Sequence, residues 1–222
     1  MNQDIFNTLI LASSFLVLFS ISEFLYRKLN VKVEYTRKFV HIGTGLLTML
    51  FPILLNNHWL VLFLCASFAV ILIASFKYKF LESVNAIDRV SVGSLSYPVS
   101  VYSCYLAYDY YGQQSILFYL PILILAFCDP IAALTGKRWP LGKYKISTDN
   151  KTMMGSSAFL VSAIVVILIT LSILKVEMNF AHILIVALVA TLAEAFSRNG
   201  FDNIAIPILV LFTLIIFQNM ML

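Results

Sequence analysis

Charge is what this chain has least of. Only 12% of its 222 residues are Asp, Glu, Lys or Arg, 61% are hydrophobic, and the mean hydropathy is +0.92. A soluble domain carries about 25% charged residues, so a fully hydrated surface is excluded and lipid is the expected surrounding. Cysteine is scarce as well. Cys65, Cys104 and Cys128 are scattered through or beside apolar runs, which excludes a disulfide framework and a CxxC metal site and leaves packing as their expected role. Low-complexity tracts, soluble appendages and internal repeats are absent. A Walker A loop is excluded too: the Gly-Lys-Ser/Thr order is missing, and no strand is expected before Lys151. No nucleic-acid partner is expected.

What is abundant is long apolar sequence. A spanning helix needs about 20 apolar residues. Eight such runs are expected to span: Ile5–Tyr26, Phe39–Leu55, Trp59–Phe76, Val92–Tyr111, Ser115–Thr135, Gly155–Leu174, Phe180–Phe196 and Asn203–Met221. The second is short and contains Pro52. The fourth is polar, with Ser94, Ser96, Pro98, Ser100, Tyr102 and Ser103, and is expected to face other helices or a cavity rather than lipid. Asp4 and the length of the first run argue for a permanent span rather than a cleavable signal. The expected fold class is an all-α integral membrane protein of about eight transmembrane helices, one bundle and one domain over residues 1–222.

The few charges are strongly ordered. Arg27, Lys28, Lys32, Arg37 and Lys38 fall in one connection, Lys77, Lys79 and Arg89 in the next but one. Lys137, Arg138, Lys143, Lys145 and Lys151 fall in the third of this set, and Arg198 in the fourth. The alternate connections hold Lys175 alone, so fourteen of fifteen basic residues lie on one side. The positive-inside rule makes that side cytoplasmic and places both termini outside, the expectation for a plasma (inner) membrane protein with its site facing the cytoplasm.

Four polar clusters share that side. The first is Arg37-Lys38-Phe39-Val40-His41-Ile42-Gly43 at the entrance of the second span, where Arg37 and His41 share a helical face. The second is Asp129 with Ala132, Ala133 and Gly136. A carboxylate at a span's centre costs about 2.5–3.5 kcal/mol, and even near the end it marks a candidate site. The small residues beside it suit helix packing or the approach of a phosphate group. The third is Lys151-Thr152 with Gly155-Ser156, where amides at a helix start and a lysine suit an anion. The fourth is Glu194 with Arg198 and Gly200-Phe201-Asp202-Asn203. Asp202 has a capping alternative, and Glu194 the alternative of pairing with Arg198. Three acids on one face, Asp129, Glu194 and Asp202, are enough to hold magnesium together with water and phosphate oxygens. Outside these clusters, Glu23 is expected to be neutralised by Arg27, and Asp88-Arg89 with Ser91 to line a pocket or form an ion pair.

In this order the clusters resemble the polyprenol kinase family, CTP-dependent lipid-alcohol kinases that include phytol, farnesol and dolichol kinases. The matching pieces are Arg37 to Gly43, Gly93-Ser94-Leu95-Ser96-Tyr97-Pro98, Asp129-Pro130 through Gly136-Lys137, Lys151-Thr152 with Gly155-Ser156, Glu194, and Gly200 to Asn203 with Pro207. The resemblance implies a magnesium-dependent phosphotransferase acting on a membrane lipid alcohol. Magnesium would be held by Asp129 and Asp202 with Glu194 or Asn203. Phosphates would be bound by Arg37, Lys38, Lys137, Lys143, Lys151 and Thr152, with Gly136, Gly155 and Ser156 around them. Asp129, His41 and Lys151 are the expected catalytic groups, with Asp129 or His41 as base. One departure stands out: Met154 occupies a position where many members carry an acid. A phosphatidate cytidylyltransferase-like enzyme that also uses CTP is the alternative reading, and a lipid or anion transporter a more distant one.

Overall fold

The computed structural model describes residues 3–85, 93–146 and 149–221; Asp88, Arg89 and Ser91 lie outside that range. A backbone in lipid must satisfy its own N–H and C=O groups, and helices do so within one segment. The chain accordingly forms α1 (Gln3–Arg27), α2 (Val33–Thr48), the short α3 (Phe51–Leu54), α4 (His58–Tyr78), the short α5 (Glu82–Asn85) and α6 (Gly93–Tyr110). Next, α7 (Ser115–Leu123) continues through a π-helical turn, Ile124–Cys128, into α8 (Asp129–Arg138). A hairpin of β1 (Lys143–Ile146) and β2 (Asp149–Thr152) leads to α9 (Met153–Leu174), α10 (Phe180–Phe196) and α11 (Asp202–Met221).

The eight expected spans correspond to eight long helical segments. Four of them, α1, α4, the continuous α7–α8 segment and α9, are long and apolar enough to cross a membrane. Large apolar side chains point outward from the bundle, among them Phe63, Ile173 and Phe212. Helix starts follow from local capping. Asn57 accepts from the Trp59 amide at 2.9 Å, Thr152 from Gly155 at 3.0 Å and Asn179 from His182 at 2.8 Å. Each satisfies a donor that the first turn leaves without a partner.

Two expectations change. The second span was expected over Phe39–Leu55; α2 begins at Val33 and stops at Thr48. Pro52 has no N–H to return to the Thr48 carbonyl, so the helix breaks and α3 restarts with that proline in its first turn. Arg37, Lys38 and His41 therefore sit within the helix rather than at its entrance. The polar connection was expected to lack a strand, yet β1 and β2 pair antiparallel, Lys143 opposite Thr152 and Ile146 opposite Asp149. A strand thus does precede α9. The absence of the Gly-Lys-Ser/Thr order still separates it from a Walker A loop.

The α7–α8 segment is the centre of the bundle. Of its apolar window 61% is buried, against 28–33% in the other three candidate spans. Leu117, Phe118, Leu120, Ile122, Ile124 and Leu125 are all within 1% of complete burial. Around it, α8 packs on α9, α9 on α10, α10 on α11, and both α4 and α11 on α6. Asp129 thus belongs to the most buried of these four spans.

Candidate active site

Asp129 is presented by an irregularity in that central helix. Pro130 cannot donate to the carbonyl four residues back, and the backbone widens into the π-turn Ile124–Cys128 immediately before Asp129. Wide turns of this kind free a carbonyl from the regular ladder. The Leu125 carbonyl is met by His41 Nε2 at 3.0 Å. A carbonyl can only accept, so Nε2 carries the proton. His41 thereby ties α2 to the π-turn, and its ring lies edge-on to Tyr97 at 5.3 Å. Lys38, one turn before His41 on α2, donates to Asp129 Oδ2 at 2.6 Å, while His41 Nε2 is 3.8 Å from the same oxygen.

A second ion pair lies across the site. Lys151, the penultimate residue of β2, donates to Glu194 Oε1 at 2.7 Å and also to the Glu194 backbone carbonyl. The other carboxylate oxygen accepts from Ser156 at 3.4 Å, and Ser156 is in turn 2.8 Å from the Tyr144 hydroxyl on β1. Arg198, the expected alternative partner of Glu194, lies beyond the end of α10 at Phe196, and the carboxylate pairs instead with a lysine 43 residues away. Both pairs are largely withdrawn from water, with side-chain exposures of 19% and 14% for Lys38 and Asp129 and 12% and 11% for Lys151 and Glu194. Charges so placed must be matched, and each is matched by a specific partner.

The glycines of the second and third clusters bring α8 against α9. A Cβ added at Gly136 would meet Thr152 Oγ1 at 2.5 Å and Gly155 Cα at 3.3 Å. One added at Gly155 would meet the Ala132 carbonyl at 3.0 Å. Packing therefore accounts for both glycines, and the close approach sets Lys151 and Thr152 beside the Asp129 helix. In the fourth cluster, the Asn203 side-chain amide donates to the Gly93 carbonyl at 2.9 Å, and the Asn203 backbone carbonyl accepts from the Ser100 hydroxyl at 2.6 Å. Asn203 thus joins α11 to α6. Asp202 is the first residue of α11, and its Oδ1 accepts from the next amide, that of Asn203, at 2.9 Å. Lys137, mostly exposed, pairs with Glu34.

All fourteen predicted site residues line one cavity of about 580 Å³. Arg37, Lys38 and His41 come from α2; Asp129, Gly136 and Lys137 from α8; Lys143, Lys151 and Thr152 from the hairpin; Gly155 and Ser156 from α9; Glu194 from α10; Asp202 and Asn203 from α11. Tyr97, on the span expected to face other helices or a cavity, does line the cavity. Sequence reasoning missed Glu34 and Tyr144, which bond to site residues. It also missed the far wall, which is apolar: Phe15, Phe19, Phe51, Phe68 and Leu72. In the sequence these look like any residues of an apolar span.

Among the described residues no three His, Cys, Asp or Glu side chains are grouped to hold a metal by themselves. Magnesium does not require that: it is usually held by one or two carboxylates with phosphate oxygens and water. Asp129 and Asp202 suit that demand, since Asp202 lies within electrostatic range of Asp129, Lys38 and Lys151. Glu194 has both oxygens engaged by Lys151 and Ser156.

No family model matches this chain, and no solved structure is similar to it. It is 29% identical over 192 residues to the phytol kinase of Synechocystis sp., covering 84% of this chain and 81% of the relative. An alignment this long supports the resemblance that the ordered polar clusters carry: the chain is phytol kinase-like over most of its length.

Proposed function

We propose that this chain is a membrane-embedded kinase that transfers the γ-phosphoryl group of CTP to the hydroxyl of an isoprenoid-type lipid alcohol at the cytoplasmic face. One observation carries the reading: a single cavity joins a polar end, lined by Lys38, Lys151, Asp129 and Asp202, to an apolar wall of Phe15, Phe51 and Phe68. A nucleotide phosphate chain and an alcohol tail need those two surroundings at once. Likeness to a phytol kinase supports the acceptor class, and the family resemblance supports CTP as donor and magnesium as the ion.

Phosphoryl transfer asks a protein mainly for positioning and neutralisation of charge. Lys38 and Lys151, now matched to Asp129 and Glu194, exchange those partners for phosphate oxygens. Arg37, Lys137 and Lys143 at the cavity's edge neutralise the rest of the phosphate charge. The alcohol oxygen forms a bond to the γ-phosphorus, the bond from that phosphorus to the bridging oxygen breaks, and CDP leaves. The alcohol's proton passes to Asp129, whose carboxylate lines the polar end of the cavity. Magnesium at Asp129 and Asp202, with Glu194 or Asn203 beside them, would supply charge stabilisation on the phosphates.

The test uses CTP labelled at the α- or the γ-phosphorus, with phytol, geranylgeraniol, undecaprenol or diacylglycerol in detergent. The γ-label is expected in the lipid product and the α-label in CDP. The α-label in lipid would identify a cytidylyltransferase instead. Label remaining on CTP with every alcohol, together with solute uptake into vesicles, would identify a transporter.

A further inference from the structure

The apolar part of the cavity has a closed end. From Lys38 the cavity follows α2 past Thr44 and Thr48 to Phe51, where α3 begins. Phe51 is 2% exposed, its ring 6.1 Å from that of Phe15, which is 4.6 Å from Phe68. Phe19 adds a fourth ring, 6.0 Å from Phe68. These aromatics come from α1, α3 and α4, and together they shut the arm at the end opposite the ion pairs. The Thr44 and Thr48 hydroxyls bond back to carbonyls of their own helix, at 2.8 Å and 2.7 Å, so the walls spend their polar groups internally.

We propose that this arm holds the acceptor's tail and that Phe51, wedged by Phe15 and Phe68, is the floor that limits acceptor length. The proposal rests on the kinase reading above. Ten residues of one helix separate Lys38 from Thr48, about 15 Å along its axis, and Phe51 lies about one turn beyond. With carbon–carbon bonds of about 1.5 Å, a zigzag chain of roughly twelve to sixteen carbons fills that depth. This is the main-chain length of a sesquiterpene or diterpene alcohol, and far short of a long polyprenol. The closed end matters because the tail arrives from hydrocarbon. Moving it from lipid to an apolar arm gains little, so burial discriminates poorly between short and long tails. A tail that overruns the arm must displace the Phe51 ring or leave its hydroxyl short of the phosphate. Length selection is therefore steric and is set at one residue.

The experiment measures γ-label transfer to geraniol, farnesol, geranylgeraniol, phytol and solanesol at equal mole fraction in mixed micelles. The full-length wild type is compared with Phe51→Ala and Thr48→Phe. Each variant is read as a ratio between acceptors, so a smaller amount of folded protein cancels. Wild type is expected to favour geranylgeraniol or phytol over solanesol by about tenfold or more. Phe51→Ala should raise the solanesol share. Thr48→Phe, which fills the arm one turn earlier, should move the optimum to farnesol or geraniol, and it decides the matter if Phe51→Ala does not fold. Alcohols labelled equally at every length, or an optimum that neither variant moves, would overturn the floor while leaving the kinase reading intact. Transfer to no alcohol at all would remove both.

Discussion

At the scale of single residues, the central fact is that Asp129 and Glu194 are each paired with a lysine. Asp129 and Lys38 lie 2.6 Å apart, and the carboxylate is proposed to take the acceptor's proton. Asp129→Asn keeps the size and a hydrogen-bond acceptor for Lys38 while removing the base. Transfer should fall by about a hundredfold or more, with normal membrane insertion and a normal melting profile in detergent; wild-type turnover in this variant would refute the assignment. Which side chains matter was legible in the sequence, because a carboxylate in an apolar run is costly and calls for an explanation. Who pairs with whom was not. Helical spacing suggested Arg198 for Glu194, and the structure supplies Lys151 from another element.

At the scale of elements, the site depends on two departures from regular helix and one tight crossing. The π-turn before Asp129 could be anticipated only as a proline in a helix; that His41 would take the Leu125 carbonyl depends on how α2 packs. The start of α2 was hidden because Glu34, Arg37 and Lys38 look like a connection, although their side chains turn toward the cavity. The hairpin was hidden because Lys143–Ile146 and Asp149–Thr152 are four residues each, too short for alternation to stand out. The crossing of α8 and α9 was visible as a small-residue stripe at Ala132, Ala133 and Gly136, for which helix packing was one of two expected uses; the partner, Gly155 on α9, was not. Gly136→Ala would drive a methyl to 2.5 Å from Thr152 Oγ1, which also caps α9. Overpacking of this kind costs about 1–3 kcal/mol. The variant should melt earlier, and its KM for CTP should rise, because Lys151 and Thr152 shift with the start of α9. Unchanged stability and KM would mean that the helices separate there without consequence.

At the scale of the whole molecule, the arm could not be read from the sequence because its walls come from α1, α2, α3, α4 and α6 and become a cavity only on assembly. The orientation of the bundle, by contrast, is a matter of charge count. The ion pairs Arg27–Glu23, Lys38–Asp129, Lys137–Glu34 and Lys151–Glu194 all gather toward one end. At the other end the contacts are neutral or weakly charged: Asn7 to the Leu54 carbonyl at 2.8 Å, and Tyr105 to the Leu55 carbonyl at 2.6 Å. The basic excess then predicts that the hairpin faces the cytoplasm and Lys175 the opposite side. Both lysines, Lys145 on β1 and Lys175 at the end of α9, are exposed, and the native Cys65, Cys104 and Cys128 are all buried. Lys145→Cys and Lys175→Cys therefore report separately with little background. A membrane-impermeant maleimide should label Lys175→Cys in right-side-out vesicles and Lys145→Cys only in inverted ones. Labelling of both from the same side would break the alternation of spans, and the reverse pattern would turn the proposed CTP site away from the cytoplasmic nucleotide pool.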